Sequence, residues 1–287
     1  MVLTIQRAAA ASRPVAPAMR GATAARRVAT RMAQAAVVLA TSAAAIAAEP
    51  ADDAPAAVPY RPSVSTPAAL TAPGWLEVES GYLHEHAGSG VRRESIPVTL
   101  KLAFTPDWGI RVGTDAWVQR RDESGESATG SGDTSIILKR RFAVDDESAF
   151  GLEGGGTLPS SRHGLGVGSG KPDWVLNAIY SADFGAWHTD LNAAATRLGA
   201  NDAGTSRTQF LGAASLSRSL GEHWGLVGEV SGTGQHGADA TRQLLVAASY
   251  NVSKRLVLDA GAARSLRSGA PVWSAFTGLT WLAARVF

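Results

Sequence analysis

Apolar and polar residues alternate over many short stretches of the chain beyond Gly74. In the stretch 95–104, SIPVTLKLAF, every second side chain is apolar, while Lys101 belongs to the opposite set. Successive side chains of a strand point to opposite faces, so this period of two predicts a strand with one apolar face. A soluble sheet would bury that face on a protein core. A membrane barrel would turn it toward lipid and keep Lys101 inside.

The alternation predicts strands close to the ~9 to 11 residues that a tilted membrane strand needs. The twelve predicted strands are 75–84, 94–104, 108–120, 133–142, 149–158, 173–182, 187–198, 207–219, 224–231, 240–250, 256–264 and 272–283. An even number of strands in close succession predicts an all-β, antiparallel, up-and-down transmembrane barrel, in which backbone polar groups are paired.

Loop length gives an independent indication of the same architecture. Short turns follow the second, fourth, sixth, eighth and tenth predicted strands, and longer polar loops follow the odd-numbered strands up to the eleventh. Outer-membrane barrels have short periplasmic turns and longer outside loops. A soluble β-sandwich is the alternative, but it gives no physical reason for this alternation.

Aromatic residues gather toward both ends of the predicted strands. With the start of the chain placed in the periplasm, the periplasmic set is Trp75, Phe104, Trp108, Phe142, Phe150, Tyr180, Phe184, Trp187, Trp224, Tyr250, Trp281 and Phe287. The outer set is Tyr82, Trp117, Trp174, Phe210, Trp273 and Phe276. Two aromatic girdles that flank an aliphatic band match the two interfaces of a membrane.

Charged residues test which face of each strand points outward. The outward set includes four arginines near strand ends: Arg140, Arg197, Arg218 and Arg242. There a long side chain can reach the headgroups, and its cost falls from ~2–4 kcal/mol at the midplane to ~0–1 kcal/mol. In the strand 108–120, the alternation predicts that Arg111, Asp115 and Gln119 point inward.

The inward set carries charges of both signs and supplies the candidate lumen-lining residues. They are Glu77, Glu79, Lys101, Arg111, Asp115, Lys139, Arg141, Glu153, Asp190, Asn192, Glu229 and Asp259. In an open channel these residues would set a transverse field that orients polar solutes. The alternative is an internal network of ion pairs that fills a narrow barrel, because twelve strands fall between filled and open barrels.

The chain before the strands divides into two parts. Residues 1–47 combine a basic region with an alanine-rich apolar run and a small-x-small cleavage site, which predicts a secretory signal peptide. Its start can be Met1, Met19 or Met32. Residues 48–73 are rich in alanine and proline, which predicts a flexible periplasmic segment. The barrel domain is then 74–287.

Charge and cysteine content exclude several classes of protein. The net charge of +2 becomes −4 without residues 1–47, which hold six arginines and no acid, so nucleic-acid binding loses its main support. The chain has no cysteine, which excludes disulfides and thiolate metal sites. No uninterrupted apolar run reaches the ~18 to 20 residues of a membrane helix.

Histidines and glycines are the remaining candidates for chemistry. His84 and His86 share a strand face near the outer end, but no third metal ligand is evident. His188 and Asp190 share a lumen face with no serine evident beside them. We therefore predict no catalytic, metal or cofactor site. An outer loop carries alternating glycines and is either a hairpin tip or a loop that folds into the mouth: Gly164, Gly166, Gly168 and Gly170.

Several short motifs follow a known pattern over 74–287. They are GSGD at 130–133 leading into ILKRRF at 137–142, TLPS at 157–160, DLN at 190–192, and GAPVW at 269–273 with FTGL at 276–279. Together they resemble the outer-membrane family named for the phenol meta-cleavage pathway (MetA pathway of phenol degradation). The resemblance implies a barrel of a transporter family without catalytic residues. The C-terminal Phe287 resembles the terminal aromatic that the barrel-insertion machinery reads.

These observations predict a Gram-negative outer-membrane barrel, secreted with removal of its signal peptide. We expect a porin-like channel or transporter for passive uptake or export of small molecules, aromatic or hydrophobic ones among them. The alternatives are a closed structural or surface-binding barrel and, less favoured, an outer-membrane hydrolase. The expected partners are outer-membrane lipid, the insertion machinery and the solute itself.

Overall fold

The architecture is all-β in the computed structural model, which describes residues 55–87, 90–161, 170–266 and 271–287. The strands are β1 (Trp75–His86), β2 (Arg92–Ala103), β3 (Trp108–Arg121), β4 (Ser127–Gly130), β5 (Thr134–Ala143), β6 (Ser148–Leu158), β7 (Asp173–Phe184), β8 (Trp187–Arg197), β9 (Thr208–Leu220), β10 (Trp224–Gln235), β11 (Thr241–Ser253), β12 (Leu256–Ser265) and β13 (Trp273–Arg285). Within these residues no helix is long and apolar enough to cross a membrane.

Twelve of the strands close into a barrel. Neighbours along the chain pair antiparallel, and β1 pairs with both β2 and β13, which completes the ring. The short β4 pairs with the outer end of β3, while the rest of β3 pairs with β5 and continues the ring. Closure leaves no unpaired sheet edge toward lipid. The predicted twelve-stranded antiparallel barrel is confirmed, and β4 is an addition that the sequence pattern did not predict.

Strand β2 has the predicted orientation. Thr99 and Lys101 are 6% and 2% exposed on the inner face, whereas Leu100 is 42% exposed on the outer face. Phe104, just beyond the strand, is 44% exposed with the same outward set. The apolar face of this strand therefore forms part of the outer band, and its lysine points into the lumen.

A β-bulge in β3 corrects the predicted inner face of its outer half. The register between β2 and β3 shifts at Pro97 and leaves Ala116 as the extra residue. One inserted residue exchanges the faces of every side chain that follows it. Val118 is consequently buried on the inner face, and Gln119, which the alternation predicts inward, lies on the opposite face.

Most of the predicted girdle aromatics are exposed on the outer surface. They include Tyr82, Phe104, Trp108, Phe142, Phe150, Trp174, Phe184, Trp187, Phe210, Trp224, Tyr250, Trp273 and Phe287. All four outward arginines are exposed as well. The guanidinium of Arg140 lies 5.1 Å from the Trp108 ring, and that of Arg218 lies 5.1 Å from the Trp187 ring. These contacts let the charges sit at the interface beside aromatic faces.

Phe276 is the exception among the outer aromatics, because it points into the barrel. It is 7% exposed and belongs to an inner apolar patch. The members of this inner apolar patch are Leu83, Val227, Leu245, Ala247, Ala263 and Phe276. Strands β11 and β13 carry apolar side chains on both faces, so a period of two could not show which face is inside.

Residues 55–73, called the plug from here on, run inside the barrel. The Ala57 N–H donates to the carbonyl of Lys254 (2.8 Å), in the turn between β11 and β12. This turn lies at the end of the barrel that is predicted to face the periplasm and is called the periplasmic end below. The plug returns to the same end, where Pro73 pairs with Ala103 and β1 begins.

Burial of the plug corrects one expectation about the chain. Tyr60, Arg61, Ser65 and Thr66 are between 1% and 7% exposed. The flexible periplasmic segment predicted for 48–73 is therefore wrong for residues 55–73, because side chains of the barrel take up their backbone polar groups. Residues 48–54 and the signal peptide predicted over 1–47 lie outside the described residues.

Candidate functional site

The twelve candidate lumen residues all point to the inner side of the barrel. Eleven of them are buried, at 0% to 8% exposure. The exception is Arg141, which is half-buried near the periplasmic end of β5. The structure thus brings the predicted residues together, but around a plug rather than around an open path.

One wall of the lumen pairs its own charges. The Lys101 ammonium of β2 lies 2.5 Å from the Glu77 carboxylate and 2.7 Å from that of Glu79, both on β1. Arg111 of β3 and Lys139 of β5 lie 3.2 and 3.4 Å from Glu153 of β6. Three bases therefore face three acids within neighbouring strands, so this wall keeps its charge balance whether or not the plug is present. We call these six residues the paired wall.

Tyr60 connects the plug to the paired wall. Its ring lies between two ammonium groups, 3.8 Å from Lys101 and 4.1 Å from Lys139. Its hydroxyl accepts a hydrogen bond from Lys139 (2.9 Å) and donates one to the Ala69 carbonyl (2.8 Å). Burial raises the pKa of the Tyr60 phenol well above its ordinary value, which keeps the hydroxyl protonated and able to donate.

Backbone N–H groups at the start of the plug bind acids of β1. The Val58 N–H donates to Glu77 (2.8 Å), and the Tyr60 N–H donates to Glu79 (2.6 Å). Lys101 donates in turn to the Val58 carbonyl (2.6 Å). Because carboxylates two residues apart on a strand share one face, β1 offers acceptors at the spacing of an extended peptide.

The middle of the plug is bound from the opposite wall. Glu229 of β10 accepts from the N–H groups of Val64 (3.1 Å) and Ser65 (2.8 Å) and from the Ser65 hydroxyl (2.8 Å). Asn192 of β8 accepts from the Thr66 N–H (3.1 Å) and donates to the Thr66 carbonyl (2.9 Å). These side chains supply the hydrogen bonds that the plug backbone would otherwise form with a neighbouring strand, because its prolines lack an N–H and disfavour strand pairing.

Arg61 makes the ion pair between plug and barrel. Its guanidinium donates twice to the Asp259 carboxylate of β12, at 3.0 Å from both Nε and Nη2. Both side chains are nearly fully buried. A bidentate pair of this kind fixes direction as well as distance, so it orients the plug in the lumen. Glu229 and Asp259 together are called the acidic wall.

Asp115 belongs to a separate cluster toward the outer end. Arg93 donates to Asp115 (2.5 Å) and to Glu85 (2.9 Å), and among the described residues the carboxylate of Asp115 has no hydrogen bond to the plug. Among the candidate residues, Asp115 is therefore part of the outer lumen, whereas Glu77, Glu79 and Glu229 hold the plug.

His188 and Asp190 lie together at the periplasmic end, but their contacts do not resemble a catalytic triad. His188 contacts Asp183 through Nδ1 (2.7 Å) and Asp190 through Nε2 (3.1 Å). Ser181 is also nearby, but its hydroxyl donates to Asp190 (2.5 Å) and accepts from the plug's Ala68 N–H (2.7 Å). With both ring nitrogens facing carboxylates, neither contacts the serine as a general base would.

The histidine pair, the C-terminal aromatic and one of the alternating glycines lie within the described residues. His84 and His86 point outward and lie 5.1 and 5.8 Å from the Trp273 ring, and the described residues contain no cluster of three potential metal ligands. Phe287 is 60% exposed at the periplasmic end. Of the alternating glycines, Gly170 is described, and the other three lie outside the described residues.

Sequence reasoning missed the plug and the inner apolar patch. In 55–73, Tyr60 is the one aromatic and Arg61 the one charged side chain. Such isolated residues in a small-residue segment were the available signal for a specific contact. The patch was signalled by β11 and β13 being apolar on both faces.

An outer band of apolar side chains, flanking aromatics, a closed ring of strands and a polar interior together define an outer-membrane β-barrel. A family model described as "Putative MetA-pathway of phenol degradation" matches residues 89–283. The chain belongs to this family, which confirms the resemblance seen in its motifs.

Solved structures with the same fold are outer-membrane barrels. The COG4313 outer membrane channel from Pseudomonas putida F1 is 13% identical, with a TM-score of 0.60 over 74% of this chain and 97% of that chain. The NanC porin is 7% identical, with a TM-score of 0.52 over 73% of this chain and 100% of that chain. A comparison with curated proteins finds no match. At these identities the likeness shows the fold, and it supports an outer-membrane location.

Proposed function

We propose that this protein is a passive outer-membrane channel for small molecules and that the plug closes it in the conformation described. The observation that carries the proposal is that the obstruction in the lumen comes from the plug and not from the barrel wall. The segment inside the lumen precedes the first strand, and side-chain hydrogen bonds hold its middle; its backbone contacts with Lys254 and Ala103 lie at its two ends. Such a segment can leave without breaking any pair of the ring.

The inner apolar patch supports aromatic or hydrophobic molecules as solutes. Phe276 and Leu245 are buried inside the barrel and are not part of the outer band. Apolar side chains on a lumen wall can contact a ring or an alkyl chain during passage. The description of the family, which refers to phenol degradation, agrees with this class of solute.

A closed structural barrel is the second candidate, because the paired wall fills part of the lumen without the plug. A hydrolase is less favoured. Ser181 is bonded to Asp190, and His188 faces carboxylates with both ring nitrogens, so the three residues lack the serine–histidine contact that the chemistry needs. Outer-membrane lipid and the insertion machinery, which would read Phe287, are the proposed partners.

Single-channel recording of the mature chain in a planar bilayer tests the proposal. We expect a mostly closed channel with brief openings, and a higher open probability when Asp259→Asn weakens the ion pair to Arg61. A reversal potential under a salt gradient would report the charge preference of the open state. Absence of current from both proteins, with heat-modifiable migration showing that both are folded, would favour the structural barrel.

A further inference from the structure

The guanidinium of Arg61 occupies a place in the barrel wall that is shaped for it. Gly81 of β1 pairs with Gly278 of β13, and Gly278 pairs with Asp259 of β12. The three residues therefore form one cross-strand row. We call this row, Gly81–Gly278–Asp259, the guanidinium site.

The two glycines provide the space for the flat guanidinium. A Cβ atom added at Gly278 would lie 2.5 Å from both Nε and Nη2 of Arg61, and one added at Gly81 would lie 2.8 Å from Nη2. Contacts below 3.0 Å require something to shift, so any side chain at Gly278 would displace the guanidinium. Elsewhere in the barrel, a Cβ at Gly228 would meet no atom within 4 Å. The bound guanidinium therefore requires a glycine at 278, whereas at Gly81 a Cβ would also meet the Thr277 carbonyl oxygen of the neighbouring strand.

Asp259 supplies the charge and the direction of binding. It accepts from Nε and Nη2 of one guanidinium, which is the geometry that an ammonium cannot reproduce. Within the described residues, Asp259 forms no ion pair with a cation of the barrel. A buried carboxylate without a partner is costly, so the site needs a donor whenever Arg61 leaves.

We propose that the guanidinium site binds guanidinium-bearing solutes in the lumen, and that Arg61 of the plug fills it in the closed state. This inference rests on the proposed channel function, because a solute can reach the site only when the plug is displaced. Binding of such a solute competes with the return of Arg61 and thereby favours the open state.

The surroundings of the site indicate what the rest of the solute is. Leu83 and Phe276 follow Gly81 and Gly278 on the inner faces of β1 and β13, each two residues away toward the outer end. A guanidinium bound at Asp259 would have its substituent beside these apolar side chains. The class of ligand is therefore a guanidinium with an alkyl or aromatic group, such as an alkylguanidine.

Ligand-dependent stabilisation of the full mature chain tests the site. Arg61→Ala empties it while keeping Asp259 and both glycines. We expect methylguanidinium to raise the heat-modification midpoint of this variant progressively and saturably, because a ligand that binds only the folded state stabilises it. Methylammonium at equal concentration controls for charge and ionic strength and should leave the midpoint unchanged. The wild-type protein should respond less, since Arg61 already fills the site.

Second substitutions locate the effect. Adding Gly278→Ala to Arg61→Ala should abolish the response, because the new methyl occupies the place of the guanidinium. Adding Gly228→Ala should preserve it, since that position has open space. An equal response to methylammonium, an equal response with Gly278→Ala, or no response in folded Arg61→Ala would overturn the proposal.

A labelling experiment covers the case in which Arg61→Ala does not fold. The chain has no cysteine, so Ser65→Cys places a unique thiol in the plug at a position that is 1% exposed. Methylguanidinium should raise its rate of reaction with a membrane-impermeant maleimide severalfold, and methylammonium should not. An unchanged rate would refute competition at the site. The channel proposal is judged separately, since plug-weakened variants either conduct or do not, whatever methylguanidinium does.

Discussion

The two walls of the lumen balance charge in different ways. The paired wall sets Lys101, Arg111 and Lys139 against acids on neighbouring strands, so its ion pairs are internal to the barrel. On the acidic wall, Glu229 and Asp259 obtain their backbone donors and their cation from the plug. The same residue types therefore form ion pairs within the barrel on one side and, on the other, bind the segment that we propose closes the channel. The role of a charged lumen residue therefore depends on whether its partner belongs to the barrel wall or to the plug.

Removal of Glu153 should have the largest effect, because it faces two buried cations of the paired wall. Glu153→Gln leaves Arg111 and Lys139 without their acid, and breaking a buried pair in this way costs about 3–5 kcal/mol of the free energy of unfolding. Urea unfolding in detergent measures the loss. Arg141→Gln, at a half-buried position near the periplasmic end, is the matched control and should change little. Similar losses of unfolding free energy in both variants would contradict the view that the buried ion pairs of the paired wall stabilise the barrel.

Asp259→Asn should open the plug while leaving the barrel folded. Hydrogen bonds to charged groups contribute about 1.5–3 kcal/mol, and ~1.4 kcal/mol is tenfold in an equilibrium. We therefore expect labelling of Ser65→Cys to become about tenfold faster or more, with heat-modifiable migration retained. Asp115→Asn removes an inward acid that pairs with Arg93 instead of the plug. If Asp115→Asn accelerated labelling as much as Asp259→Asn, the effect could not be assigned to the ion pair between Asp259 and the plug.

Gly278→Ala tests the shape of the guanidinium site without changing any charge. The added methyl would meet Arg61 at 2.5 Å, and overpacking of this kind costs about 1–3 kcal/mol. The plug should be exposed to labelling, to an extent no greater than with Asp259→Asn. Gly228→Ala is the control and should label at the rate of the parent protein. Slow labelling of Gly278→Ala would show that the barrel wall yields instead of the plug.

Tyr60→Phe should have the smallest effect. It keeps the ring between Lys101 and Lys139 but removes the hydroxyl that contacts Lys139 and the Ala69 carbonyl. We expect a loss of about 0.5–1.5 kcal/mol in plug closure, measured as a modest rise in labelling of Ser65→Cys. Tyr180→Phe in the periplasmic girdle, on the lipid-facing side of β7, is the matched control. An effect as large as that of Asp259→Asn would show that contacts with the paired wall contribute as much to holding the plug as the ion pair on the acidic wall does.

The barrel itself could be predicted from sequence because the patterns that specify it are short-range along the chain. A period of two, strand length and loop length are each readable within a dozen residues, and Thr99, Leu100 and Lys101 take the faces that the pattern assigns. The failures also have a local cause. The extra residue Ala116 exchanges inner and outer faces for Gln119, and a single bulge leaves no mark in an alternating pattern.

The plug could not be predicted because its stability is not periodic. Residues 55–73 have the composition of a flexible linker, yet their N–H groups are taken up one at a time by side chains distant in sequence, such as Glu229 and Asn192. Alternation placed those side chains inside the barrel correctly. It could not show whether they would meet a solute, water or the chain itself.

The guanidinium site spans the place where the first and last strands of the ring meet, since Gly81 belongs to β1 and Gly278 to β13. Its three residues are neighbours only after that final pairing forms. During assembly, an open sheet would hold Asp259 and Gly278 but would lack Gly81, so the complete site for Arg61 would not yet exist. Stable seating of the plug is therefore expected as a late step of folding, and the barrel would be sealed only once its wall is complete.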